Sequence, residues 1–195
     1  MKKIAIFLVV IGMIATITLP KVNAQSFSVS PYGGLSSDQS GLISQTDPVG
    51  GVNALAGLAH GALSLGIGMD GGQLYHYKTV LISDDSIRTT VYKKVNAPSL
   101  QFIAALSIPE RRSSLLAGPV IGVAGGVAFP SNIDSGPVGM VKVFTQLNLG
   151  GNTFSGNYHV GFFVQGAFNF LYTGPQPIYS STIFCGMRFT ALHAF

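Results

Sequence analysis

The chain has 195 residues and a formal net charge of +4, yet only 9% of its residues are charged while 47% are hydrophobic. A soluble domain usually carries about 25% charged residues beside a similar apolar share, so this composition argues against an ordinary water-facing surface. The single cysteine, Cys185, excludes an internal disulfide framework, and no patch of cations interleaved with aromatics marks a nucleic-acid surface.

Lys2 and Lys3 open the chain, an uncharged apolar stretch runs from Ile4 to Leu19, and Pro20 leads into Val22-Asn23-Ala24. That is the order of a secretory signal. A retained anchor is the alternative, but a spanning helix needs about 18 or more apolar residues, and this stretch is shorter and ends in a cleavage-like site. Residues 1-24 are therefore expected to be a signal peptide and residues 25-195 the folded domain, 171 residues long (195 minus 24) and beginning at Gln25. Losing Lys2, Lys3 and Lys21 lowers the basic count from 11 to 8, against 7 acids, so the mature chain is nearly neutral. Cys185 lies too far from the cleavage site to be the lipid-bearing residue of a lipoprotein.

Turn-rich segments divide the mature chain into eight predicted strands. They run from Ser26 to Leu35, Gly51 to Ala59, Ala62 to Ile82, Ile87 to Ile108, Ser114 to Phe129, Pro137 to Leu149, Asn157 to Tyr172 and Tyr179 to Phe195. Their residues alternate. Leu63, Leu65, Ile67 and Met69 are set against Ser64, Gly66, Gly68 and Asp70; Leu100, Phe102, Ala104 and Leu106 against Ser99, Gln101, Ile103 and Ala105; Phe162, Val164 and Phe168 against Gln165 and Asn169. Successive side chains of a strand point to opposite faces, so each segment is built for two different surroundings.

The expected fold is all-β: an eight-stranded antiparallel up-and-down transmembrane β-barrel. An even strand count permits closure, and most segments reach the roughly 9 to 11 residues that span a bilayer. Low charge then follows, since one face meets lipid and the other a narrow interior. The third and fourth strands exceed that length, so their outer parts are expected to form a hairpin beyond the membrane. Ser36 to Gly50, Ser83 to Ser86, Pro130 to Gly136 and Thr173 to Ile178 are expected as outer loops, carrying Asp38, Asp47, Asp84, Asp85 and Asp134. His60 to Gly61, Pro109 to Ser113 and Gly150 to Gly156 are expected as periplasmic turns. Lys142 and Arg188 should point inward, bonded to Gln146, Asn148, Thr190 or backbone; an ion pair would require Asp70 to reach across from the third strand, and the two cations together could form an anion site.

Some features strain this map. Pro31, Pro98 and Pro119 interrupt strands and each removes a ladder hydrogen bond; the phase shift near Pro98 suggests a bulge. Leu115 to Pro130 could be read as a helix with Gly118 and Gly122 as a pairing motif, although so many glycines would be costly there.

The last segment, Ile183 to Phe195, ends in an aromatic carboxy-terminal residue. With the signal and the strand plan, the sequence resembles the small outer membrane protein beta-barrel domain, or porin-like, family, related in architecture to OmpX and to the membrane domain of OmpA. Ala97-Pro98-Ser99-Leu100-Gln101-Phe102, with Ile108-Pro109 and Gly118-Pro119, also looks like the central part of PorT-like barrels. The resemblance implies an outer-membrane location in contact with its lipid, and recognition by the barrel-assembly machinery through the final strand and Phe195. His193 departs from the aromatic or aliphatic residue common on that face. A PorT-like secretion or assembly accessory is the alternative reading of function.

Chemical motifs are few. Gly66-Ile67-Gly68-Met69-Asp70-Gly71 matches a dinucleotide fingerprint, but it sits inside a two-residue alternation with no helix to follow. His60, His76, His159 and His193 are scattered without metal-ligand spacing. Ser180, Ser181 and His76 could meet Asp84 or Asp85 only at the outer rim, as a lipid-modifying barrel would need. No catalytic, cofactor or metal residues are therefore assigned. An eight-stranded barrel is just wide enough to be filled by its own side chains, and Phe144 and Phe163 should help to plug it. The expectation is a binding or structural protein working through its surface loops, with no general pore, no cofactor and an extracellular ligand that the sequence leaves unknown; a secreted lipid-binding barrel would need a more charged exterior.

Overall fold

The computed structural model describes residues 26–38, 46–58, 62–71, 74–82, 88–107, 118–131, 136–154, 157–173 and 177–192. The expected signal peptide, His60, Asp84, Asp85, Asp134, His193 and Phe195 lie outside them. Ten strands follow in order: β1 (Ser26–Asp38), β2 (Thr46–Leu58), β3 (Leu63–Gly71), β4 (Leu74–Ile82), β5 (Arg88–Asn96), β6 (Ser99–Ser107), β7 (Gly118–Ala128), β8 (Val138–Phe154), β9 (Tyr158–Tyr172) and β10 (Ile178–Leu192).

Eight of them, all but β4 and β5, close into an antiparallel barrel in which β1 pairs with both β2 and β10. Closure satisfies the edge hydrogen bonds that an open sheet would leave bare. Within Leu115 to Pro130 the described residues Gly118–Ala128 form strand β7, and Gly122 serves packing: a Cβ there would collide with the Phe144 ring.

Several boundaries differ from the expectation. The long third and fourth strands are each broken. β3 pairs directly with β6, from Leu63↔Leu106 to Asp70↔Ser99, while β4 and β5 form a separate two-stranded hairpin. Pro98 is not at a bulge within a strand; with Ala97 it separates β5 from β6. That break is tied down by the amides of Phe129 and Ser131, which donate to the carbonyls of Pro98 and Asn96 at 2.8 and 2.7 Å. The hairpin does more than extend the wall. Val95 and Ala97 at its base are fully buried against Ala128, Val138, Met140 and Leu171, and β4 lies close to β1 and β10. The base of the hairpin thus covers one mouth, called here the capped end; the other, where β1 begins and β10 finishes, is the terminal end.

The first expected loop is shorter, because β1 runs to Asp38 and β2 starts at Thr46, which puts Asp38 and Asp47 on strand ends. β8 likewise continues through Gly150 to Phe154, absorbing a register shift between Asn148 and Gly151, with Gly150 at φ 85°. That positive φ suits glycine at a bulge. Pro31 is accommodated where pairing with β10 lapses at Ser30 and Pro31 without a change of register. Pro119 stays in register opposite Leu147 near the start of β7.

Candidate functional site

The alternation resolves into an apolar outside and a polar inside. Phe162, Val164 and Phe168 are exposed, as are Ile67, Met69, Leu100, Phe102, Ile183 and Phe189, whereas Gln165, Asn169, Gln101 and Ser99 are buried. Adjacent residues show the switch: Phe162 is 57% exposed and Phe163 1%. In water each large apolar side chain of this wall would forgo about 1.5–3 kcal/mol of burial. In hydrocarbon that cost vanishes, so the wall is made for lipid. Tyr158 near the terminal end, and Tyr172 and Tyr179 near the capped end, are half exposed on the outer face, the placement of interfacial aromatic girdles. Cys185 is on this outer face too.

Inside, a polar cluster joins five strands. Asp70 of β3 accepts from the Lys142 ammonium of β8, from the Tyr32 hydroxyl of β1, and from Gln101 Nε2 of β6 at 2.6 Å. Gln101 Nε2 also donates to Ser99 Oγ at 2.6 Å, and Tyr32 Oη lies 3.5 Å from Asn53 Oδ1 of β2. Lys142 Nζ sits 5.3 Å from the Phe184 ring centroid and 6.0 Å from that of Tyr32. Tyr32 meets Phe184 edge-on at 4.8 Å and Phe163 at 6.5 Å. The ion pair and the edge-on aromatic rings together occupy the middle of the lumen, with Phe144 buried as expected. A buried pair of this kind is tolerable only where hydrogen bonds satisfy its remaining lone pairs, and here Tyr32 and Gln101 supply them.

Lys142 and Arg188 both face inward, but the expected partners need correction. Lys142 takes Asp70, reaching across from β3, instead of Gln146 or Asn148; those two bond each other at 2.7 Å. Arg188 faces the terminal half, and its Nε has no partner among the described residues. The Phe163 ring lies beside Gly186, on β10 between Phe184 and Arg188. Since Asp70 compensates Lys142, the two cations do not form one anion site.

Other candidates are dispersed. Gly66 and Gly68 belong to the inward face of β3, where a Cβ on Gly68 would meet Asn53 and Ile103, so the glycine motif serves packing. Ser180 faces inward beside Asn169, whose Nδ2 lies 3.3 Å from both Ser180 Oγ and Thr182 Oγ1, whereas Ser181 donates to the Ser37 carbonyl at 3.4 Å. The rim arrangement with His76, Asp84 and Asp85 falls on side chains outside those described. Among the described residues no three His, Cys, Asp or Glu side chains converge as metal ligands, and no helix is long and apolar enough to cross a membrane. Tyr32, Asn53 and Gln101 were not singled out by the sequence as cluster members, although Gln101 stands on the polar phase of its strand.

No protein-family model matches the sequence, and no curated protein is significantly similar to it. Among solved structures, the chain is similar to Neisserial surface protein A, at 14% identity and a TM-score of 0.56, over 83% of this chain and 95% of that one. Weaker matches are Ail, the attachment invasion locus protein of Yersinia pestis, in complex with the heparin analogue sucrose octasulfate (11% identity, TM-score 0.42, 85% and 97% covered), and the N-terminal β-barrel domain of Pseudomonas aeruginosa OprF (16%, 0.42, 85% and 97%). The first similarity and the closed barrel agree: the chain has the fold of small outer-membrane barrels.

Proposed function

We propose that this chain is an outer-membrane barrel that acts as a structural or binding element through its surface segments, not as a pore or an enzyme. One observation carries the reading: a closed barrel has lipid-suited residues on its outer face, while its lumen is filled by the Asp70–Lys142 cluster and by Tyr32, Phe163 and Phe184. A lumen filled in this way by described side chains leaves little room for solutes to pass, which makes the β4–β5 hairpin the surface available to a partner. In this orientation the capped end faces outward, both termini face the periplasm, and the final strand with Phe195 serves as the assembly signal. The secretion-accessory alternative shares the fold and has no separate observation in its favour.

The experiment is an epitope inserted between Ser83 and Ser86, in the segment that links β4 to β5, and labelled on intact cells. Labelling without permeabilisation is expected. Labelling only after the outer membrane is breached would reverse the orientation and remove the hairpin as a binding surface.

A further inference from the structure

The terminal half of the lumen holds a group of polar atoms that the central cluster does not use. Ser30 Oγ, His159 Nδ1, Arg188 Nε and Thr190 Oγ1 are all buried without a hydrogen-bond partner among the described residues. They converge on three consecutive strands. Thr190 of β10 stands opposite Ser28 of β1 on one side and His159 of β9 on the other. In the next inward-facing row Arg188 stands opposite Gly161, and the pairs Val29↔Phe189 and Tyr32↔Gly186 place Ser30 opposite Arg188. The His159 ring leans over Gly161, with Cε1 3.1 Å and Nδ1 3.6 Å from where a Cβ would lie, which brings it toward Arg188.

Buried polar groups are ordinarily satisfied, and a group of unsatisfied ones calls for an occupant. The chemistry of this group is one-sided. A guanidinium offers only donors, two hydroxyls can donate, and His159 Nδ1 can take the donor tautomer. Among the described acids, Asp38 and Asp47 lie at the capped end and Asp70 is engaged by Lys142, Tyr32 and Gln101. None of them compensates Arg188.

We propose that Arg188, Ser30, Thr190 and His159 form a binding site for a small inorganic oxyanion of the phosphate type, entered from the terminal mouth of the barrel. A guanidinium flanked by hydroxyl donors matches the several acceptor oxygens of such an ion, and its charge-assisted bonds to them are stronger than bonds to neutral water. The occupant is a free ion and not a lipid headgroup, because the four side chains line the lumen and lipid meets the opposite face of the same strands. Arg188 is half-buried as a whole residue, and its Nε is covered. This inference requires the barrel but not the proposed role of the hairpin.

The test uses the full folded chain in a nonionic detergent free of phosphate. Sodium phosphate is titrated against sodium chloride at matched ionic strength, and the temperature at which the barrel unfolds is followed by gel migration. A ligand that binds only the folded state raises that temperature saturably. The expected result is such a rise in the unaltered protein, lost in Arg188→Met and reduced in Thr190→Val. No saturable rise, or an equal rise in both variants, would overturn the site and leave only a general salt effect. If Arg188→Met does not fold, Thr190→Val decides: a response equal to that of the unaltered protein overturns the proposal, and a reduced one upholds it. The same gel reads closure of the barrel independently.

Discussion

Lys142 and Asp70 meet across the lumen, from strands β8 and β3 that are not neighbours in the barrel. The contact ties two non-adjacent walls of the barrel together across the lumen. Removing one partner leaves a buried charge uncompensated, at about 3–5 kcal/mol, whereas replacing both with apolar residues of similar size can be neutral. Asp70→Asn alone is expected to lower the stability of the refolded protein in lipid vesicles by that amount, and the pair Asp70→Leu with Lys142→Met to recover most of it. A double variant that loses the sum of what Asp70→Leu and Lys142→Met each lose alone, read from urea unfolding, would mean that the two residues are not coupled.

The face assignment is tested by two adjacent residues of β9. Val164 is exposed on the outer wall and Gln165 is buried in the lumen. Arginine at a lipid-facing position near the midplane costs about 2–4 kcal/mol, so Val164→Arg is expected to destabilise the inserted barrel by that order. Gln165→Leu, inside, should cost less. Reversal of this order in the same unfolding assay would invert the faces of the sheet.

Gly122 and Phe144 form a space-sharing pair between β7 and β8. A methyl group on Gly122 would run into the Phe144 ring, and overpacking of this kind typically costs about 1–3 kcal/mol. Gly122→Ala is expected to fall in that range, with Phe144→Leu in the same chain restoring part of the loss. An unaltered unfolding midpoint in Gly122→Ala would show that the ring has room to move.

Much of this arrangement was legible in the residues because a strand's two-residue period writes the environment of each face directly. Leu65-Gly66-Ile67-Gly68-Met69-Asp70 needs no partner to be read as two-sided. Pairing across the lumen is different in kind. Whether Asp70 reaches Lys142 depends on strand order, stagger and the cross-section of the closed barrel, none of which leaves a local trace at residue 70 or 142. Ala97-Pro98 was ambiguous for a related reason: a proline between two apolar runs fits a bulge or a break, and the contacts of Asn96 and Pro98 with the Phe129–Ser131 segment settle it as a break. The polar run around Asp38 and Asp47 has turn chemistry, yet β1–β2 pairing carries the ladder into it as far as Ser37↔Thr46.

Assembly is expected to depend on the carboxy-terminal residue. Deleting Phe195 should sharply reduce folded protein in the outer membrane while export to the periplasm continues, because the final strand is the proposed recognition signal. Quantitative surface labelling beside periplasmic immunoblotting checks this. Normal surface levels of the deletion variant would count decisively against such a role.

The most direct test of a lipid-spanning closed barrel is gel migration of the membrane fraction with and without boiling. The protein is expected to sediment with outer membranes, and the unboiled sample, kept compact by its closed ladder and plugged lumen, to migrate differently from the boiled one. Recovery from the soluble fraction with identical migration in both lanes would contradict a lipid-spanning closed barrel.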